Sequence, residues 1–237
     1  MKKSRVLFNR PMKDKLIING SIVWLAVLSI MICCSGGAKK QKPSENIMPV
    51  TEYDSTYLFN GRDLEGWEIT NFGPQGPVYV SGGSIILGMG DGCTGITWEK
   101  EFPEQNYRVT LEAKRVAGND FFCGMTFPVG KDPCTLIVGG WGGTTVGLSS
   151  INSMDASENQ TTNFMEFEKD RWYRISLLVH ADTIRAMIDK DVVVNYVVDE
   201  YDSISIRPEV ELSRPFGIAA WYTTAELRNI RLELMGN

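Results

Sequence analysis

Beyond residue 50, apolar and polar residues alternate along much of the chain. In residues 107–113 every second side chain is apolar, and the same period of two recurs in residues 172–179. Such alternation predicts β-strands with one buried face. Glycine, proline and aspartate clusters between these runs predict turns. We therefore expect strands at residues 84–87, 94–98, 107–113, 121–127, 135–138, 172–179, 184–188, 192–198, 216–221 and 227–234.

This order of short strands predicts an all-β protein. No long helical stripe interrupts the strands, so a βαβ rhythm with a parallel sheet is not expected. The 23 Gly and 10 Pro residues agree with many turns. No period of 20 to 50 residues appears, so neither a propeller nor a solenoid is predicted. We expect a jelly-roll sandwich of two antiparallel sheets.

The first 34 residues have the pattern of an export signal. Basic residues between Lys2 and Lys15 precede an uncharged apolar stretch over residues 16–32, and Cys33 and Cys34 follow it. The stretch is shorter than the roughly 20 residues of a comfortable membrane span. The order resembles a bacterial lipoprotein signal, and we expect Cys34 to be lipidated because the residue before it, Cys33, is small. An uncleaved signal anchor is the alternative.

Three regions follow from this pattern: a signal peptide over residues 1–33, a flexible tether over 34–52 and a jelly-roll domain over 53–237. Loss of the signal changes the formal net charge from −5 to −10. An acidic domain without a basic block is not expected to bind nucleic acid. We expect an exported cell-envelope lipoprotein, periplasmic or on the outer membrane, that contacts the membrane only through its lipid anchor.

Histidine and cysteine restrict the chemistry. His180 is the single histidine, which excludes a multi-histidine metal centre and leaves carboxylates, Arg, Tyr, Lys or an oxygen-bound metal. In an oxidising compartment Cys93, Cys123 and Cys134 could form one disulfide. A pairing between Cys123 and Cys134 is disfavoured, because the hairpin between them sets Cys123 nearer Val138.

Trp141 is the leading candidate for contact with a ligand. Two glycines stand on each side of it, which leaves the backbone bare around one large aromatic plane. Sugar rings present apolar faces that stack on such planes. A core tryptophan beside a bulged turn is the alternative. Most of Trp98, Trp172 and Trp221 are expected in the core, because they alternate in phase with apolar neighbours.

Two segments carry candidate acid/base groups. Arg115, Asn119 and Asp120 lie at the junction of two predicted strands, where Asp120 is either a base or a turn-capping residue. Between Arg207 and Arg214, two glutamates at a spacing of two would share one face of an extended strand. A solvated strand face is the alternative. Oxygen ligands for calcium could come from Asp91, Asp155 and Glu158, although their spacing fits no EF-hand.

Residues 58–67, LFNGRDLEGW, resemble the opening motif of the 3-keto-disaccharide hydrolase domain family, and residues 227–232 resemble its closing strand. The resemblance implies a concanavalin-like jelly roll over about residues 53–235. It also implies a hydrolase or lyase that cleaves 3-keto-glycosides. A base would remove the C2 proton acidified by the C3 ketone, the C1 oxygen would leave, and water would add afterwards.

The site expected from this chemistry contains a base, an oxyanion partner and sugar-binding side chains. A divalent cation could take the place of an arginine as the oxyanion partner, and no metal ligands are assigned from the sequence. The catalytic candidates are Asp120 or Glu211 as base and Arg115 or Arg207 as oxyanion partner, with Trp141, Glu209 and Asn119 binding the carbohydrate.

Two non-catalytic alternatives remain open. The same sheet and Trp141 could serve a glycan-binding lipoprotein without turnover. The domain could also be a scaffold in an envelope complex, which an exposed apolar patch would favour.

Overall fold

The computed structural model describes residues 55–236, which form strands and one short 3₁₀ helix, Pro208–Ser213. The strands are β1 (Ser55–Tyr57), β2 (Trp67–Ile69), β3 (Val78–Ser81), β4 (Ser84–Leu87), β5 (Cys93–Trp98), β6 (Tyr107–Gly118), β7 (Cys123–Val129), β8 (Asp132–Gly140), β9 (Thr145–Ser149), β10 (Asn163–Phe164), β11 (Tyr173–His180), β12 (Thr183–Ile188), β13 (Asp191–Val197), β14 (Gly217–Trp221) and β15 (Thr223–Leu234).

The strands form two antiparallel sheets. The first has the order β13-β12-β11-β6-β15-β4-β3, with β1 also paired to β15. The second has the order β10-β9-β8-β7-β14-β5-β2. Strands that are distant in sequence therefore lie side by side, as Greek-key connections require. This architecture confirms the predicted all-β jelly-roll sandwich.

The core lies between the two sheets and follows the alternation of the sequence. In the first sheet Leu111 pairs with Ile175, and both are fully buried. In the second sheet Leu136 and Val138 of β8 are also fully buried in this core. Because side chains alternate along a strand, the residues between them point to the outer face of the second sheet.

The opening motif has a structural role. Leu58, Phe59 and Trp67 are buried in the core, and Trp67 Nε1 donates a 2.8 Å hydrogen bond to the carbonyl of Leu58. Between them Asn60 Oδ1 accepts the backbone N–H of Asp63 at 3.1 Å, which closes the polar turn. The motif thus fixes the chain before β2 and lies in the core and its adjoining turn.

All ten strands expected from the sequence are present, with ends shifted by a few residues. The expectation missed β1, β2, β3, β9 and β10. Four of these are short strands without a regular buried face, and β9 is buried at every position. A strand covered on both faces shows no alternation of polar and apolar residues.

The extended strand expected around Glu209 and Glu211 is wrong. Pro208 lies in the first turn of the 3₁₀ helix, where its fixed φ and missing N–H are tolerated. Three residues complete each turn of such a helix, so side chains two positions apart point in directions about 120° apart around the helix axis. Glu209 and Glu211 therefore do not share a face.

The three cysteines of the domain are free and buried. Cys123 pairs in register with Val138, as expected, while Cys134 lies opposite Phe127. This register confirms that a disulfide between Cys123 and Cys134 is disfavoured. The signal, the tether and Cys34 lie outside the described residues. Within residues 55–236 no helix has the length and apolar character needed to cross a membrane.

Candidate functional site

A cleft of about 250 Å³ opens on the outer face of the second sheet. Thr135 and Ile137 of β8 and Ser149 of β9 line it, because their neighbours Leu136 and Leu148 point into the core. The 3₁₀ helix borders the cleft, and Val210 of that helix both lines the cleft and is buried. The volume is slightly below the roughly 300–1,000 Å³ typical of small-molecule sites.

A glycine in β9 lets a polar loop lie close to this face. A Cβ atom on Gly147 would stand 3.0 Å from the carbonyl of Ala156 and 3.1 Å from that of Thr161. Glycine thus permits an approach that a larger residue would prevent. The result is that Asp155, which precedes Ala156, reaches Ser149 at the cleft.

Trp141 stands at the tip of the hairpin between β8 and β9 and lines the cleft. Its side chain is 42% exposed, and its φ is 47°. Gly142 and Gly143 follow with φ of 87° and 104°, conformations that favour glycine. The glycines of this segment therefore form the turn that presents the indole to solvent.

A second indole, Trp221, lines the cleft from the end of β14. It lies nearly parallel to Phe121, with 6.4 Å between the ring centroids and 25° between the planes. Tyr222 meets Trp221 edge to face, and its hydroxyl donates a 2.8 Å hydrogen bond to Asp91 Oδ1. The cleft therefore has two aromatic surfaces, the second of which is fixed by its neighbours.

Arg207 connects three elements at the cleft. Its guanidinium donates to both carboxylate oxygens of Glu209, at 3.2 Å from Nε and 2.9 Å from Nη2, and Nη1 donates to Asp155. Asp155 Oδ1 also accepts the hydroxyls of Ser149 at 3.3 Å and Ser150 at 3.2 Å. The hydrogen bonds from Arg207 lower the pKa of Glu209 against the opposing effect of burial. Glu209 is therefore held as a carboxylate.

Asp120 faces the same cleft from the loop between β6 and β7. Its Oδ1 accepts the N–H of Phe121 at 2.8 Å, and its own N–H donates to Thr223 Oγ1 at 3.2 Å. Oδ2 accepts no hydrogen bond from any residue that the structure describes. This oxygen is free to accept a proton or a hydroxyl from a ligand.

The structure brings together Asp120, Arg207, Glu209 and Trp141 of the expected site, but it does not bring in the others. Arg115 Nη2 donates to the carbonyl of Phe167 at 2.5 Å, so this guanidinium supports a loop. Asn119 is exposed and outside the lining of the cleft. Glu211 is also exposed, and it pairs with Arg214 at 3.7 Å.

The sequence matches the family of the 3-keto-alpha-glucoside-1,2-lyase-like domain over residues 54–233. The chain belongs to this family. The matched region contains every residue that lines the cleft, and the match confirms the resemblance seen in the opening and closing motifs. No protein among those of curated function matches this lyase-like chain.

Solved structures with the same fold include several carbohydrate-related proteins. The carbohydrate-binding module CBM66 from Bacillus subtilis is 14% identical, with a TM-score of 0.50 over 75% of this chain and 99% of the module. A putative glycosyl hydrolase from Parabacteroides distasonis is 13% identical, with a TM-score of 0.50 over 77% and 94%. The Crh5 transglycosylase in complex with NAG is 13% identical, with a TM-score of 0.51 over 77% and 84%. At these identities the likeness establishes the fold of the lyase-like domain.

Sequence reasoning missed two contributors to the cleft of this lyase-like domain. The sequence predicts that most of Trp98, Trp172 and Trp221 lie in the core, but of these three only Trp98 is buried there. Ala220 takes the core position beside Trp221, which points outward. Asp155 was considered only as a calcium ligand with Asp91 and Glu158, whereas it binds Arg207. Within residues 55–236 no three acidic, cysteine or histidine side chains are grouped so that they could hold a metal ion. No local signal links Asp155 to Arg207, because 52 residues separate them.

Proposed function

We propose that this domain cleaves 3-keto-glycosides in the cleft by eliminating the C1 substituent, with Asp120 as the base. The observation that carries the proposal is the free Oδ2 of Asp120 in a cleft that also holds Arg207 and two indoles. The membership of the lyase-like family and the carbohydrate-related neighbours support it. The indoles supply planes for the apolar faces of a sugar ring.

The reaction begins at C2 of the sugar, whose proton the adjacent ketone makes acidic. Asp120 Oδ2 takes this proton, and the electrons of the C2–H bond form an enolate with the C3 carbonyl. The enolate then expels the C1 oxygen, so that the C1–O bond breaks, a C1–C2 double bond forms and the leaving alcohol takes the proton that Asp120 has removed, which restores the carboxylate. Water adds across the double bond afterwards to give the free 3-keto sugar.

Arg207 is the group suited to the developing enolate oxygen. Of the five N–H bonds of a guanidinium, three donate to Glu209 and Asp155, which leaves two for a ligand. The two carboxylates fix the orientation of the guanidinium before substrate binds. A donor oriented in advance stabilises an oxyanion by about 3–4 kcal/mol in measured cases.

The test separates the two candidate bases. With 4-nitrophenyl 3-keto-α-glucoside as substrate, we expect Asp120→Asn to lower kcat by at least about 100-fold. Glu211→Gln, on the exposed side of the 3₁₀ helix, should stay within about twofold of the wild type because surface charge changes have small effects. The release of nitrophenol measures both. Full activity of Asp120→Asn would refute the assignment.

A non-catalytic carbohydrate-binding function is the second candidate. It is favoured by the pairing of Glu209 with Arg207, which occupies both oxygens of that carboxylate. The domain also shares its fold with a carbohydrate-binding module over 99% of the length of that module, which supports a binding function. Calorimetric binding of glycosides without turnover of any 3-keto-glycoside would support this function over the lyase.

We also propose that Cys34 anchors the protein in the cell envelope through a lipid. The proposal is supported by the basic, apolar and small-residue order of residues 1–37. Metabolic labelling with palmitate should label the wild type and Cys33→Ala but not Cys34→Ala. Labelling that is retained in Cys34→Ala would contradict it.

A further inference from the structure

The cleft carries an excess of negative charge. Asp120 and Glu209 line the cleft together with Arg207, which gives the lining a formal charge of −1, and a third carboxylate, Asp155, pairs with Arg207 from outside the lining. Of the described residues that line the cleft, Arg207 alone is cationic. Its guanidinium is already paired with two of the three carboxylates, whereas Asp120 has no cationic partner in the described part of the chain.

Among the described residues, no cation other than Arg207 pairs with a carboxylate at the cleft. Arg115 donates to backbone carbonyls, at 2.5 Å to Phe167 and 3.5 Å to Gly143, and lies outside the cleft. Arg214 pairs with Glu211 on the exposed side of the 3₁₀ helix. A further carboxylate, Asp91, is held by the tyrosine that follows Trp221.

The aromatic surfaces provide an independent observation. The half-buried indole of Trp172 is covered by two cations, because Lys114 and Arg228 lie 4.9 and 4.0 Å from the centre of its ring. Within residues 55–236 no lysine or arginine covers Trp141 or Trp221. Exposed aromatic faces beside carboxylates are the usual chemistry for recognising an ammonium group.

We propose that the cleft prefers sugars that carry a protonated amino group over neutral sugars, and neutral sugars over those that carry a carboxylate, sulfate or phosphate. The inference rests on the proposed function, because it names the class of sugar that the same cleft takes. The ammonium group pairs with Asp120 through Oδ1, which leaves Oδ2 for the C2 proton. It also lies against an indole, while an anionic group meets the excess carboxylates. Two opposite unit charges 4 Å apart attract each other by about 1 kcal/mol even in water. The charge of the ligand is therefore sufficient to produce this order of affinities.

Four methyl glycosides test the order: glucosaminide, N-acetylglucosaminide, glucoside and glucuronide. The first two differ in the charge of the nitrogen, and acetylation is the matched chemical control. We expect the glucosaminide to bind about tenfold more tightly than the N-acetylglucosaminide in NMR titrations, which corresponds to ~1.4 kcal/mol. The glucuronide should bind at least about tenfold more weakly than the glucoside.

Two variants, each of which replaces a carboxylate by an amide, test whether the preference for an ammonium group depends on Asp120. Asp120→Asn removes one charge from the cleft with little change in shape, and it should lower the glucosaminide-to-N-acetylglucosaminide affinity ratio about threefold or more, by loss of a close ion pair. Glu65→Gln removes one charge from an exposed turn before β2, at the far edge of the second sheet from β9. It should leave the ratio unchanged.

The outcomes separate this inference from the proposed function. Equal affinities for the four glycosides, tighter binding of the glucuronide, or no binding by a protein that still cleaves a 3-keto-glucoside would overturn the inference alone. Absence of both cleavage and binding would overturn the proposed function together with the inference. An unchanged ratio in Asp120→Asn would remove Asp120 from the explanation and refute the placement of the ammonium group.

Discussion

The pair formed by Asp155 and Arg207 should stabilise the fold as well as orient the cleft. Asp155→Asn keeps the shape of the side chain but removes its charge, and Arg207→Met keeps the length of the side chain but removes the guanidinium. We expect each variant to lower the free energy of unfolding. The double variant should lose less than the sum of the two, because both single changes remove the same contact.

The size of the effect follows from the exposure of the two side chains. The side chain of Arg207 is 38% exposed and that of Asp155 is 27% exposed, so solvent screens the pair in part. We expect about 1 kcal/mol for this pair after that discount. The two long serine hydrogen bonds of Asp155 add up to about 1 kcal/mol to the cost of Asp155→Asn. The total for this variant is therefore roughly 1–2 kcal/mol.

Urea unfolding followed by tryptophan fluorescence measures the cycle. The coupling energy should be about 1 kcal/mol, with an unchanged m-value. The matched control is the pair of Glu211 and Arg214, whose atoms are 3.7 Å apart and whose side chains are 59% and 48% exposed. Its coupling should be close to zero. A coupling below about 0.3 kcal/mol between Asp155 and Arg207 would refute the reasoning.

Four further measurements address the cleft and its support. Trp141→Ala should weaken glycoside binding about tenfold in calorimetry but leave the urea midpoint unchanged, since the indole is exposed. Gly95→Ala should cost about 2 kcal/mol in the same unfolding assay, because the new Cβ would lie 2.7 Å from the carbonyl of Ile218. Burial raises the pKa of Cys93 to about 12, so peptide mapping should find it alkylated by iodoacetamide only after unfolding. The pKa of Glu209 is lowered in the fold from its ordinary value of 4.5, so its contribution to stability is complete above that value. The stability difference between wild type and Glu209→Gln should shrink below pH 4.5 and be lost as the pH falls through the lower pKa of the folded state.

The architecture could be predicted from the sequence, because a strand that is buried on one face has an apolar residue at every second position. The strands that alternate, such as β6 and β11, were found with their ends nearly correct. The hairpin between β7 and β8 was also specified closely enough to pair Cys123 with Val138. In both cases the information is local, since it depends on residues within one strand or one turn.

The cleft was only partly predictable because its geometry depends on contacts between distant residues. Asp120 and Trp141 stand beside turns whose glycines mark them in the sequence. Trp221, in contrast, is the last residue of β14, a strand that is buried on both faces, and alternation cannot distinguish the core face of such a strand from a covered outer face. The direction of the Glu209 side chain depends on the 3₁₀ helix that begins at Pro208. An extended strand over the same residues would instead place Glu209 and Glu211 on one face.

The position of β14 and β15 has a consequence for the timing of folding. These two strands come last in chain order, yet β14 lies between β5 and β7, and β15 lies between β6 and β4. The second sheet cannot be completed until β14 has left the ribosome, and the first sheet cannot be completed until β15 has followed. Contacts between such distant segments form slowly. Both sheets therefore lack a central strand until nearly all of residues 55–236 have been synthesised, which favours folding after synthesis over folding during it.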